Sequence, residues 1–296
     1  MGAATAVLIS PRAALVLGRV SNLPTVLSNA LAGITLAGVT LGGAGWPAGA
    51  LAQAATALAL FYVGGMYLND AFDAELDARE RPARPIPRGD AGRGAVFAAG
   101  FALIGLGVAL SAQAGPAAAV SSALLAGAIL LYDAVHKHTA AAPAIMGMCR
   151  LLAYTTAAAM AGGTALAPAL LLGAGGMFAH VVGLTFAARQ EAYDRLDNAW
   201  PLAVLAVPLT GALWASLSVP LALLLWGALA AATAWAVHRL FRRAPGDVPR
   251  AVGTLIAAIA LFDAVLIAAA GSSVTALAAA LCFLLTLALQ RVVPGT

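Results

Sequence analysis

The chain has 296 residues, 62% of them hydrophobic and only 9% charged, with a mean hydropathy of +0.93. A water-soluble domain of this length needs far more charge to cover its exterior, so a soluble globular fold is excluded. The formal net charge of +4 is no argument for a nucleic-acid partner, because in a lipid-embedded chain an excess of arginine sets orientation.

Ten apolar runs follow one another: Asn22–Leu41, Ala48–Leu68, Gly94–Gln113, Ala117–Leu131, Ala142–Ala161, Pro168–Ala187, Pro201–Leu217, Pro220–His238, Ala251–Ala270 and Val274–Leu289. They are rich in Ala, Leu, Gly and Val and lack the period-two alternation of a membrane barrel. Many approach the roughly twenty residues that cross a hydrocarbon core as helix. The expected fold is therefore an all-α bundle of about nine to ten spans, with residues 1–296 forming one integral membrane domain. Arg12 and Arg19 precede a run too long for a signal-peptide core, and more runs follow it. Cys149 and Cys282 both fall in apolar runs and form no disulfide or metal pattern.

Charge tests the count. The connections 42–47, 114–116, 162–167, 218–219 and 271–273 contain no Lys, Arg, Asp or Glu, whereas the alternate connections hold nearly all of them. Basic residues mark the cytoplasmic side of a membrane. Ten passes with both termini and the polar loops in the cytoplasm satisfy that rule for every basic residue but Arg150. Nine passes would put Arg291 outside. The cell (cytoplasmic) membrane is the expected location.

The second run ends in Asn69-Asp70-Ala71-Phe72-Asp73-Ala74-Glu75-Leu76-Asp77. Asn69, Asp73 and Asp77 recur every fourth residue, which sets them on one helical face over roughly 12 Å of axis. Asp70 can join that face. Like charges one turn apart destabilise a helix, so the row calls for a counter-charge. Oxygen-only ligands suit a hard cation, Mg²⁺ or Ca²⁺, and Mg²⁺ leaves room for phosphate oxygens. A basic segment, residues 79–93, follows, with Arg79, Arg81, Arg84, Arg88 and Arg93 among Pro82, Pro85 and Pro87. The plain alternative is a solvated helix end with a Glu75–Arg79 pair and arginines that only set topology.

Asn69-x-x-x-Asp73-x-x-x-Asp77, followed by Arg81-Pro82-x-Arg84-Pro85-Ile86-Pro87-x-Gly89, resembles the first aspartate-rich motif of the UbiA-type intramembrane prenyltransferases, in spacing and in its place after the second span. The resemblance implies an enzyme that transfers a prenyl group from an isoprenyl diphosphate to an acceptor within the membrane, with Mg²⁺ as cofactor. It implies that Asn69, Asp73 and Asp77 engage Mg²⁺–diphosphate. Asp73, Asp77, Lys137 and Arg150 are then the expected catalytic groups. The substrate-binding set is Asn69, Arg84, Arg88, Tyr132, Lys137 and Arg150. The acceptor, lipophilic or small and polar, is not specified.

Three further regions bear on this. Tyr132, Asp133 and Lys137 end the fourth run; in the family a tyrosine and a lysine here cover the diphosphate, while the alternative is a Lys137–Asp133 pair. Arg150 lies about 12 Å into the fifth run, where an arginine faces a cavity or a partner, and is expected to help hold diphosphate. The family carries D-x-x-x-D on its sixth helix. Here residues 191–197 offer Glu191 and Asp194 at i,i+3 instead, and these are expected to complete the metal set of Asn69, Asp70, Asp73 and Asp77. Asp263 stands mid-run in the ninth span and reads as a hydrogen-bonded core residue, with an acceptor channel as the other option. Phe61, Phe101, Phe178 and Trp200 are candidate determinants of prenyl length. Two rival functions fit the same residues: a non-catalytic subunit that binds prenyl lipid, and a small-molecule transporter.

Overall fold

The structure is a computed structural model that describes residues 8–39, 49–163, 166–191 and 200–295, with the backbone alone for 189–191, 200 and 201. Among these residues every regular element is helical: α1 (Pro11–Leu17), α2 (Leu23–Leu36), α3 (Ala50–Glu80), α4 (Arg93–Ala112), α5 (Pro116–Val135), α6 (Ala142–Met160), α7 (Pro168–Glu191), α8 (Ala206–Ser216), α9 (Pro220–Arg242), α10 (Asp247–Ala269) and α11 (Ser273–Leu289). Short 3₁₀ turns, Val20–Asn22 and Trp200–Leu205, precede α2 and α8. Each apolar run of the sequence coincides with one of α2 to α11. Helix α1 escapes the hydropathy pattern because it has 7 residues; Ser10 caps it by accepting the Ala13 N–H.

Among the described residues six helices, α3, α4, α5, α7, α9 and α10, are long and apolar enough to cross a membrane. Helices α2 and α8, with 14 and 11 residues, are shorter, and α6 carries Arg150, Thr155 and Thr156. The chain is an integral membrane protein. Proline opens α5, α7 and α9, where its missing N–H costs no helical bond. Helix α10 is the centre of the bundle, with 83% of its apolar stretch buried against 28% for α4, α5 and α9 at the lipid-facing rim. It packs on α2, α7, α9 and α11.

Small residues bring helices close. Gly33 on α2 meets the α6 backbone so tightly that a Cβ would lie 2.5 Å from the Tyr154 carbonyl oxygen. Gly33→Ala is expected to force α2 and α6 apart and to lower stability by about 1–3 kcal/mol, as overpacking does. Gly127→Ala, which meets nothing within 4 Å, should leave the thermal midpoint in detergent unchanged.

Helix α3 places the site. Its 31 residues rise about 46 Å, well beyond a hydrocarbon core of about 30 Å. The apolar N-terminal two-thirds fill the core, and the polar stretch from Asn69 onward leaves it. The following loop turns back over that end: Asp90 N–H bonds to the Pro85 carbonyl, and Ser10 N–H to the Asp90 carbonyl. Gly89 takes φ +82, a left-handed conformation that glycine adopts without strain.

Candidate active site

Where α3 leaves the apolar layer, its acids meet cations from three other segments. Asp70 is 4% exposed and receives Arg84 Nη1 on both oxygens, at 3.0 and 3.1 Å. Arg19 Nη2 reaches the same carboxylate at 3.1 Å. Asp73 pairs with Lys137 Nζ at 2.9 Å and lies 3.4 Å from His136 Nε2. Asn69 donates from Nδ2 to Asp133 Oδ1 at 3.1 Å. Asp77, 4% exposed, has no hydrogen-bond or ion-pair partner among the described residues, and Asp133 Oδ2 is likewise buried without one.

These contacts revise the local pairings expected from helical spacing. Lys137 pairs with Asp73 on another helix, not with Asp133 on its own. Glu75 pairs with Arg93 at 2.8 Å instead of Arg79. Arg88 stays outside the cluster, in an exposed pair with Asp90 at 2.7 Å. Glu191 ends α7 with its side chain undescribed, and Asp194 lies outside the described residues.

Arg19 is a member of the cluster that its place in the sequence does not reveal. It sits between α1 and the 3₁₀ turn with φ +41, a left-handed conformation unusual for a side chain with a Cβ. That turn aims the guanidinium inward, onto Asp70 and onto the Met66 sulfur, to which Nη1 donates at 3.0 Å. Burial disfavours its charge, but Asp70, Tyr62, Tyr132 and Asp133 together outweigh it, and its pKa lies above the ordinary value. Its only sequence-level sign is a polar residue between two apolar stretches.

A cavity of about 100 Å³ opens beside these groups, lined by Leu58, Phe61, Leu125 and Ile129, with Asn29, Tyr62, Tyr132, Asp133 and Arg150 as its polar edge. The sequence places the site between the second, fourth, fifth and sixth spans. The described cavity is bordered by α2, α3, α5 and α6, so the first span takes part and α7 supplies no lining residue among those described. Phe61 lines the cavity, whereas Phe101 is 49% exposed on the outer face of α4. Tyr132 stacks on His136 with ring centroids 4.9 Å apart. Arg150 donates to Asn29 Oδ1 at 2.5 Å and to Thr25 Oγ1 at 3.4 Å, and its guanidinium lies 5.6 Å from the Tyr62 ring centre.

The oxygen donors fit a magnesium ion that arrives with phosphate. No three of His, Cys, Asp and Glu converge into a ready cage among the described residues. Mg²⁺ needs only one or two carboxylates when phosphates and water supply the rest. The partnerless Asp77 carboxylate, one turn from Asp73 on α3, is such a donor.

The cluster of acids and cations adjoins the apolar cavity through Asn69, which bonds Asp133 on the cavity edge. The model of the UbiA prenyltransferase family matches residues 31–251, and the chain belongs to that family. A digeranylgeranylglyceryl phosphate synthase of Ignicoccus hospitalis is 37% identical over 121 residues, 41% of this chain and 37% of that protein. One from Methanoregula boonei is 41% identical over 83 residues, 27% of this chain and 29% of that one. One from Metallosphaera sedula is 34% identical over 89 residues, 30% of this chain and 31% of that one. The matched stretch thus spans about a third of each relative's length. A solved structure concerning digeranylgeranylglyceryl phosphate synthase in membranes superposes with a TM-score of 0.60 over 87% of this chain and 97% of that one, at 16% identity. It shares the fold.

Proposed function

We propose that the chain transfers a prenyl group from an isoprenyl diphosphate to a lipophilic acceptor, with Mg²⁺ bound alongside the diphosphate, at the cytoplasmic face of the cell membrane. The observation that supports this best is the meeting of Asp70 with Arg19 and Arg84, and of Asp73 with Lys137, beside the apolar cavity. The names of the relatives point to a glyceryl phosphate lipid as the acceptor class.

Asn69, Asp73 and Asp77 would hold the metal, together with Glu191 and Asp194. Bound Mg²⁺ neutralises charge that develops on the leaving diphosphate. Asp73 pairs with Lys137, and Asp70 holds Arg19 and Arg84. Lys137 and Arg84, held beside the carboxylates that would bind the metal, would supply cationic donors to the phosphate oxygens. Lys137 acts as a mobile point charge and Arg84 as a planar fork. Asp70 orients Arg19 and Arg84 and would be the remaining carboxylate of the metal set. Arg150 faces the same space from α6. The apolar walls take the prenyl tail and keep water from the allylic cation left when the carbon–oxygen bond breaks.

Mass spectrometry of lipid extracts from cells with and without the protein tests this reading: a prenylated lipid present only with the protein supports it, and identical lipid profiles together with uptake into liposomes would favour a transporter. Orientation has its own test. Ten passes with both termini inside predict that a reporter fused after Thr296 is active in the cytoplasm. Activity on the outer side would mean an odd number of passes.

A further inference from the structure

We propose that Asp263, 113 positions from Arg150 in the chain and buried at the centre of the bundle, is a positioning residue that aims Arg150 at the anionic end of the substrate. This rests on the reading of Arg150 as a substrate-binding group.

Asp263 is 0% exposed on α10, a costly place for a carboxylate within a membrane. It accepts three hydrogen bonds: from Ser28 Oγ at 2.5 Å and Asn29 Nδ2 at 2.8 Å on Oδ2, and from the Tyr154 hydroxyl on Oδ1. Ser28, Asn29 and Tyr154 are themselves 0% exposed. The bond to Asn29 decides the rest. A carboxylate bonded in this way accepts, so the Asn29 amide must present its NH₂ to Asp263 and therefore its carbonyl oxygen to the other side. On that side lies Arg150, whose Nη1 donates to the carbonyl at 2.5 Å. Asp263 thus sets which end of an amide Arg150 meets, and it joins α10, α2 and α6 in one relay.

The relay leaves Arg150 incomplete in a useful way. Its hydrogen-bond partners among the described residues, Asn29 and Thr25, are neutral. Tyr62 offers a ring face. With no carboxylate in contact among the described residues, a guanidinium at the cavity edge keeps donors for an arriving anion, and its direction is fixed before that anion binds. Such preorganisation is what gives a binding or transition-state donor its value. Were Asp263 a packing residue alone, a pair of apolar side chains would serve in place of Asp263 and Ser28.

The test is a double-mutant cycle on equilibrium binding of geranylgeranyl diphosphate with Mg²⁺ to the full-length protein in detergent. Arg150→Gln is expected to raise Kd by about tenfold or more. Asp263→Asn permits the Asn29 amide to turn and present NH₂ to Arg150, and is expected to raise Kd to a similar extent. In the Arg150→Gln background, Asp263→Asn should change Kd less than twofold, because its effect passes through Arg150. Equal effects of Asp263→Asn in both backgrounds would overturn the positioning role and leave the reading of Arg150 intact. An Arg150→Gln protein that binds like the wild type would overturn both. Where Asp263→Asn does not fold, Asn29→Ala breaks the relay in its middle and leaves Ser28 and Tyr154 on Asp263; additive effects there contradict the proposal in the same way.

Discussion

An Asp73→Asn variant is expected to insert and purify, yet to lose Mg²⁺-dependent diphosphate binding and to turn over slower by on the order of a hundredfold or more. The change removes one anionic donor from a site that has few, while nearly keeping the side chain's shape. Spacing alone would give stability the opposite sign, since removing one of several like charges on a helix face relieves repulsion. The structure reverses that expectation. Asp73 is neutralised by Lys137 at 2.9 Å, with His136 at 3.4 Å. The pair is half-open to solvent on the lysine side, 35% against 13%, so its loss should lower stability by no more than about 1 kcal/mol. Steady-state turnover and a thermal melt of the purified variant check both parts. A well-folded Asp73→Asn protein with unchanged turnover would refute the metal assignment.

Asp77→Asn separates the two effects more sharply. Asp77 is as buried as Asp70, 4% each, but lacks any ion pair or hydrogen bond among the described residues. Its charge meets the penalty of burial and the repulsion of Asp70 and Asp73, against the attraction of Arg84 and Arg81. An amide of the same size removes the charge and the repulsion. The variant should melt at the same temperature or higher without ligand. It should lose activity to about the same extent as Asp73→Asn, and should no longer gain stability when Mg²⁺ and an isoprenyl diphosphate are added together. Gain of stability with loss of function at one residue is the mark of strain kept for a ligand. A drop in the ligand-free melting temperature would show that Asp77 has a structural partner instead.

The elements and the acidic row are legible in the sequence because both are local. Apolar runs become helices wherever lipid surrounds them, and the Asn69–Asp73–Asp77 spacing needs only the helical period to define a face. The partners of these groups are not local, and there the sequence misleads. Helical rules pair Lys137 with Asp133 and Glu75 with Arg79, but the fold supplies Asp73 and Arg93. Arg19 looks like a topology signal until the fold sets it beside Asp70, 51 positions on. Arg150 is legible as a costly intramembrane charge, whereas its tie to Asn29, 121 positions away, and that of Asn29 to Asp263, 234 away, require packed helices. Glu191 and Asp194 carry a departure from the family's second motif, and their part in the metal set remains the proposal it is in the sequence.

The central claim is that this face of acids and cations binds an isoprenyl diphosphate through magnesium. Equilibrium binding of geranylgeranyl diphosphate to the purified wild-type chain, titrated with and without Mg²⁺, tests it most directly. The site described here predicts saturable binding with Mg²⁺ that falls by at least about tenfold when the metal is chelated, because the carboxylates then repel the phosphates. Binding that is absent under both conditions, or equally strong in both, would contradict it.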